Sequence, residues 1–214
     1  MSTSENAREA ILQSVRSALR RDPLDGARIA ALDARMPGHT RPAHDEDLVA
    51  RFIRKFESRA GTVERVASRD AVPAAVEAYR AAHTLPERAA VGAGLKELAW
   101  PEGWLVHFDA AGITEALAVS PAFCGIAETG SVMLASGPDS PTTHNFVPDD
   151  HVVVLDVDRI VDHFEDAWDL LRARPQGMPR ATNIVSGPSR TADVEQTIQL
   201  GAHGPRRMHV ILVG

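Results

Sequence analysis

Cysteine is all but missing from these 214 residues, Cys124 being the one thiol. That excludes an internal disulfide and a cysteine-rich zinc site. An iron–sulfur cluster takes about four thiolates, so this chain cannot hold one unaided. Cys124 follows Phe123 in an apolar stretch, where a small buried thiol is expected rather than a nucleophile. Basic excess is missing as well, since the formal net charge of −6 argues against a surface built for nucleic acid. No apolar run approaches the roughly 20 residues that cross a bilayer. The opening "MSTSENAREAILQSVRSALRR" has neither the basic n-region nor the apolar h-region of a secretory signal, which makes cytoplasm the expected location. The phosphate loop G-x-x-x-x-G-K-[ST], an early G-x-G-x-x-G and the nucleophile elbow G-x-S-x-G are absent too. No motif for a flavin or nicotinamide is present, so no cofactor is assigned.

What remains is an ordinary globular composition, 44% apolar and 24% charged. It is enough for one domain with a small appendage. Ala7, Ile11, Val15 and Leu19 recur every four residues and predict an amphipathic helix over 5–20. The following stretch carries Pro23, Gly26, Pro37, Gly38 and Pro42 and reads as a loose connection. Residues 1–44 are therefore expected to be an N-terminal helix and linker, and 45–214 the main domain. Asp45 and Asp47 precede a second helical pattern of Leu48, Val49, Phe52, Ile53 and Phe56.

From residue 62 onward strands and helices alternate. "TVERVA", "RAAVGA", "SVMLAS", "HVVVLD", "ATNIVSG" and "RMHVILVG" read as strands, and "GWLVHF" and "GITEALAVS" as two more. "RDAVPAAVEAYRAAH" reads as a helix. So does "VDRIVDHFEDAWDLLRA", with Ile160, Val161, Phe164, Trp168 and Leu171 on one face, and so does the segment from Thr191 to Leu200. The pattern predicts an α/β fold, a mostly parallel sheet flanked by helices.

Two stretches carry chemistry. "SGPSRTADVEQTIQLGAHGP" is read as a turn leaving the carboxyl end of a strand and opening a helix, where ligands collect in open α/β sheets. Ser186, Gly187, Ser189, Arg190 and Thr191 would form an anion cradle there, with Asp193, Glu195, His203 and Arg206 around it. Plain helix chemistry accounts for much of the same pattern: Ser189 or Thr191 as cap, Asp193 and Glu195 opposing the dipole, His203 at the helix end. In "CGIAETGSVML", Glu128 stands before a Thr129-Gly130 turn and a strand. A partly desolvated carboxylate suits acid–base work, whereas a carboxylate that accepts backbone N–H bonds only braces the turn. His144, His151 and His163 have no paired helical spacing, and no metal is expected.

In this order, "IAETGSVML", "VPDDHVVVLDVDRIV" and "SGPSRTADVEQTIQLGAHGPRRMHVILV" resemble the LUD-domain family, above all its LutC-type lactate-utilisation proteins. The resemblance covers residues 115–214 strongly and 45–114 weakly. It implies a fold like that of the NagB/RpiA/CoA-transferase group. It also implies a role beside two iron–sulfur partner proteins in oxidising L-lactate to pyruvate, as a subunit of an oxidoreductase complex. On this view the partners hold the clusters and this chain supplies a pocket for a small carboxylate or phosphate-bearing ligand. Self-association into a homo-oligomer stays open, since the sequence does not set the oligomeric state. Class I CoA-transferases use a glutamate in a Glu-x-Gly turn, and Glu128-Thr129-Gly130 has that local form, which makes Glu128 a site candidate. Two other readings stay open: a stand-alone enzyme using Glu128 on an acyl, phosphosugar or folate-like ligand, and a non-catalytic scaffold subunit.

Overall fold

The protein is described by a computed structural model that covers residues 3–20, 24–35, 38, 40–191, 199–201 and 203–214. The chain divides into two compact units, residues 1–42 and 43–214. The first contains α1 (Thr3–Leu19) and α2 (Gly26–Asp33). Ile11, Val15 and Leu19 form an exposed apolar stripe on α1. The stretch expected to be loose thus holds a helix. Asp25 caps it by accepting a hydrogen bond from Arg28 N at 2.7 Å, and Ala27, Ala30 and Ala31 favour helix.

The second unit is built on six parallel strands in the order β1-β12-β7-β4-β2-β3. These are β1 (Thr62–Val66), β2 (Arg88–Val91), β3 (Leu105–His107), β4 (Leu117–Pro121), β7 (Asp150–Asp156) and β12 (Arg207–Val213). Strands β7 and β12 are neighbours inside the sheet, flanked by β4 and β1, and read "HVVVL" and "VILV" because both faces of a parallel sheet are covered. Side chains alternate faces along each strand. Val152, Val154, Ile211 and Val213 meet Val72, Val76 and Tyr79 of α4 (Val72–Ala82). Val153, Leu155, Val210 and Leu212 meet Phe52 and Phe56 of α3 (Leu48–Glu57) on the opposite face.

That second face is also covered by a smaller sheet in the order β8-β5-β6-β9. It comprises β5 (Cys124–Ile126), β6 (Ser131–Ala135), β8 (Ile160–Val161) and β9 (Thr182–Val185). Its outer side packs on α5 (Phe164–Arg172), where Cys124, Ile126 and Met133 enclose Ala167 and Leu171. Cys124 is fully buried, which pushes its thiol up to about 11 and makes it inert packing. The layers are therefore helix, parallel sheet, helix with small sheet, and helix. Among the described residues no helix is long and apolar enough to cross a membrane.

Three expectations are corrected here. Ile160 and Val161 lie in β8, beside β5, and not in a helix; Ala127 N donates to Val161 O at 2.9 Å. Their β-branched side chains suit a strand, and α5 starts only after His163, whose backbone is extended. Strand β9 pairs antiparallel with β6 in the small sheet and is not part of the parallel one. Finally, β10 (Arg190–Thr191) and β11 (Gln199–Leu200) pair antiparallel, so both ends of the expected 191–200 helix are strand. Residues 192–198, Asp193 and Glu195 among them, lie outside the described residues.

Candidate functional site

The two stretches singled out by sequence meet, but not as one wall-to-wall pocket. The hydroxyls of Thr129 and Ser131 share a hydrogen bond at 2.6 Å, and Ser131 and Ser186 share another at 2.5 Å. This three-hydroxyl chain ties the turn before β6 to the turn after β9. Ser131 is buried, and nothing in the apolar lead of "SVMLAS" marks it as polar machinery.

Both turns then press on the end of α3. Gly130 has φ +63°, and a Cβ there would stand 2.4 Å from Phe56 N. Gly187 has φ +83°, and its Cβ would stand 2.6 Å from Arg59 O. Only glycine permits both the left-handed backbone and the close approach.

Glu128 is fixed by backbone. Its N–H donates to Asp162 O at 2.9 Å, and its carboxylate accepts from Phe164 N, the first residue of α5, at 3.2 Å. A carboxylate at a helix start satisfies an orphan N–H and the dipole, the bracing arrangement that sequence left open.

Beyond Gly187 the chain turns into a cavity of about 240 Å³. Its walls include Asn145, His151, Val185, Gly187, Ser189 and His203. Ser189 is placed by reciprocal bonds: its N–H donates to Pro205 O at 2.9 Å, and its carbonyl accepts from Gly201 N at 3.0 Å. His203 N donates to the Ser189 hydroxyl at 3.4 Å. The turn pair 187–189 and 203–205 is thus a stapled unit, and the glycines of "GAHGP" allow it: Gly201 has φ +81°.

The cavity sits at the amino ends of β7 and β12, where His151 and Met208 are the second residues of their strands. A site at the carboxyl end of a parallel strand was expected. The reason for the difference is β9, whose antiparallel course in the small sheet delivers residues 186–189 to the opposite end.

Two wall residues give the cavity its polar character. His151 is buried and shares a hydrogen bond with the Ser120 hydroxyl at 3.0 Å. Burial, with a smaller contribution from His144, pushes its imidazole down to about 3, so it is neutral at physiological pH. Asn145 Nδ2 donates to Asn183 Oδ1 at 3.1 Å, while Asn145 Oδ1 is buried with no partner among the described residues. In "TTHNFVPDDH" His151 is noticed only as a histidine without metal-ligand spacing and Asn145 not at all, because nothing local says which side chains turn inward.

The remaining candidates lie outside the cavity. Thr129 and Ser186 belong to the hydroxyl chain and Gly130 to the α3 contact. Arg190 and Thr191 form β10, with Arg190 exposed. Arg206 is exposed and pairs with exposed Asp149 at 3.2 Å. Beside it, Arg207 grips buried Asp150 through two bonds of 2.6 and 2.7 Å, and Tyr79 OH donates to the same carboxylate at 2.8 Å. That cluster locks the amino ends of β7 and β12 under the cavity. With Arg190 in a strand and Arg206 paired, the helix-start anion cradle is not the arrangement seen.

Residues 110–213 match the family model described as the LUD domain. An uncharacterized protein of Neisseria meningitidis serogroup B is 39% identical over 94 residues, 44% of this chain and 40% of that protein. Lactate utilization protein C of Bacillus subtilis is 32% identical over 91 residues, 41% of this chain and 38% of that protein. The protein of the same name from Anoxybacillus flavithermus is 31% identical over 88 residues, 41% and 39% of the two chains. The matched segment spans about two-fifths of the length of these relatives. A crystal structure of a DUF162 family protein from Deinococcus radiodurans superposes with a TM-score of 0.59 at 22% identity. That match covers 81% of this chain and 100% of the other and shows the fold.

Proposed function

With residues 110–213 identified as a LUD domain, we propose that this chain serves L-lactate utilisation as a subunit that works with iron–sulfur partner proteins. The observation that carries the reading is the similarity to lactate utilization protein C, within a matched segment that contains every residue named as lining the cavity. In the net reaction, L-lactate gives up two electrons and two protons to become pyruvate. The single buried thiol of Cys124 leaves cluster binding, and hence the electrons, to the partners. The subunit's own contribution is the cavity beside Ser189 and His203. Its volume, apolar walls and few convergent polar groups suit a small ligand held by a hydroxyl, an amide and an imidazole. Cytoplasm is the compartment in which this chain would meet such partners.

The test is a pull-down of the tagged chain from cells grown on L-lactate, with lactate-dependent dye reduction assayed on the eluate. Iron–sulfur proteins are expected to co-purify with activity. Ser189→Ala and His203→Ala should raise the lactate concentration for half-maximal rate about tenfold each, the effect of losing about 1.4 kcal/mol of binding. A solitary chain without dye reduction would refute the assignment. Full activity in both variants would remove the cavity from it.

A further inference from the structure

Two buried groups on the cavity wall keep hydrogen-bonding capacity that no described residue uses. Asn145 is 4% exposed. Its Nδ2 is committed to Asn183 Oδ1 at 3.1 Å, while its Oδ1 is shut off from solvent without a partner among the described residues. A buried amide oxygen left unpaired is costly, and folded proteins keep such a group where something else fills it.

His151 supplies the complement. It is 1% exposed, its imidazole is neutral, and its Nε2 is bonded to the Ser120 hydroxyl at 3.0 Å. Ser120 is fully buried, and its hydroxyl has no other acceptor among the described residues. The hydroxyl proton therefore goes to Nε2, because a buried donor without an acceptor costs more than an unused lone pair. This network assigns the ring proton to Nδ1, which makes no hydrogen bond among the described residues.

The cavity thus offers an acceptor in Asn145 and a donor in His151, both uncharged. We propose, on the reading that this cavity holds the ligand of lactate utilisation, that the two residues recognise an alcohol and select a 2-hydroxy acid over the matching 2-keto acid. A hydroxyl serves both groups: it donates to Asn145 Oδ1 and accepts from His151 Nδ1–H. A ketone oxygen only accepts, so it sets a lone pair against Asn145 Oδ1 and leaves that atom unpaired. Phe146, Ile184, Val185 and Met208 give the apolar wall that a short alkyl group needs. Among the described residues the walls hold no arginine or lysine, which places the carboxylate at the mouth, beside exposed His203 and half-buried Ser189.

The experiment is calorimetric titration of the full chain with L-lactate and pyruvate, and with L-2-hydroxybutyrate and 2-oxobutyrate as a second alcohol and ketone pair. Each alcohol is expected to bind at least tenfold tighter than its ketone. Asn145→Ala should weaken alcohol binding about tenfold and leave ketone binding unchanged, a difference that lost packing alone would not produce. If that variant fails to fold, the preference of the unaltered chain decides. Equal binding within a pair, tighter binding of the ketone, or no binding of any of the four would overturn the proposal. Dye reduction in the pull-down tests lactate use separately. Activity there without an alcohol preference sinks only the alcohol recognition, and an alcohol preference without dye reduction sinks only the lactate assignment.

Discussion

His151 and His209 are both enclosed by the sheet, one on each face. Burial holds the His209 imidazole down to about 4, with a smaller push from His83, as it holds His151 at about 3. Unfolded, each would titrate near 6.5. Between those values the unfolded chain binds a proton that the folded chain refuses, so stability falls as pH falls through the window from about 6.5 to about 4. Each imidazole contributes a slope of about 1.4 kcal/mol per pH unit there. Glu115 acts in the same direction at lower pH: burial raises its carboxyl, but bonds from Arg88 and His107 outweigh that and lower it overall. Urea unfolding at pH 7 and pH 5 should show the loss, and His209→Gln should make the slope shallower. Equal stability at both pH values would contradict buried neutral imidazoles.

At the scale of elements, the decisive contacts are those of two turns on one helix end. Gly130→Ala and Gly187→Ala each place a Cβ against the backbone of α3 or its following turn, in a left-handed conformation. Each should cost about 2–3 kcal/mol. Gly137→Ala, at a position with open space within 4 Å, is the control expected to be near neutral. Thermal unfolding of the three variants checks this. The glycines of these turns are visible in "ETGS" and "SGPS"; what they press against is not, since α3 lies more than 70 residues before Gly130. The apolar spacing from Ile160 to Leu171 fits a helix, yet pairing with β5 takes its first two members as strand. Local period is a weak vote where an open sheet edge offers hydrogen bonds.

For the whole molecule, residues 43–214 contain all the buried apolar residues described, from Phe52 to Val213. A chain lacking residues 1–42 should therefore keep its circular dichroism and its midpoint within about 3 °C, a change under about 1 kcal/mol. The exposed Ile11, Val15 and Leu19 of α1 suit docking on a partner. The same truncation should lose the iron–sulfur proteins in the pull-down while leaving the domain folded. Retention of the partners would move the docking surface to residues 43–214.

The sequence by itself determined the α/β class, most strands and the stretches that matter. Hydrophobic period and glycine-rich turns are local properties, and the stretches "GPSRTADVE" and "GAHGP" carry the resemblance to LUD domains without a fold. Only tertiary structure decided how those stretches are used. The antiparallel course of β9 carried residues 186–189 to the amino ends of β7 and β12, against an imidazole and an amide from "THNFVPDDH". Glu128 became a brace for α5, and His44 came to lie beside His163. Which distant side chains share a pocket depends on strand order and direction, and these are set by burying both faces of the central sheet at once.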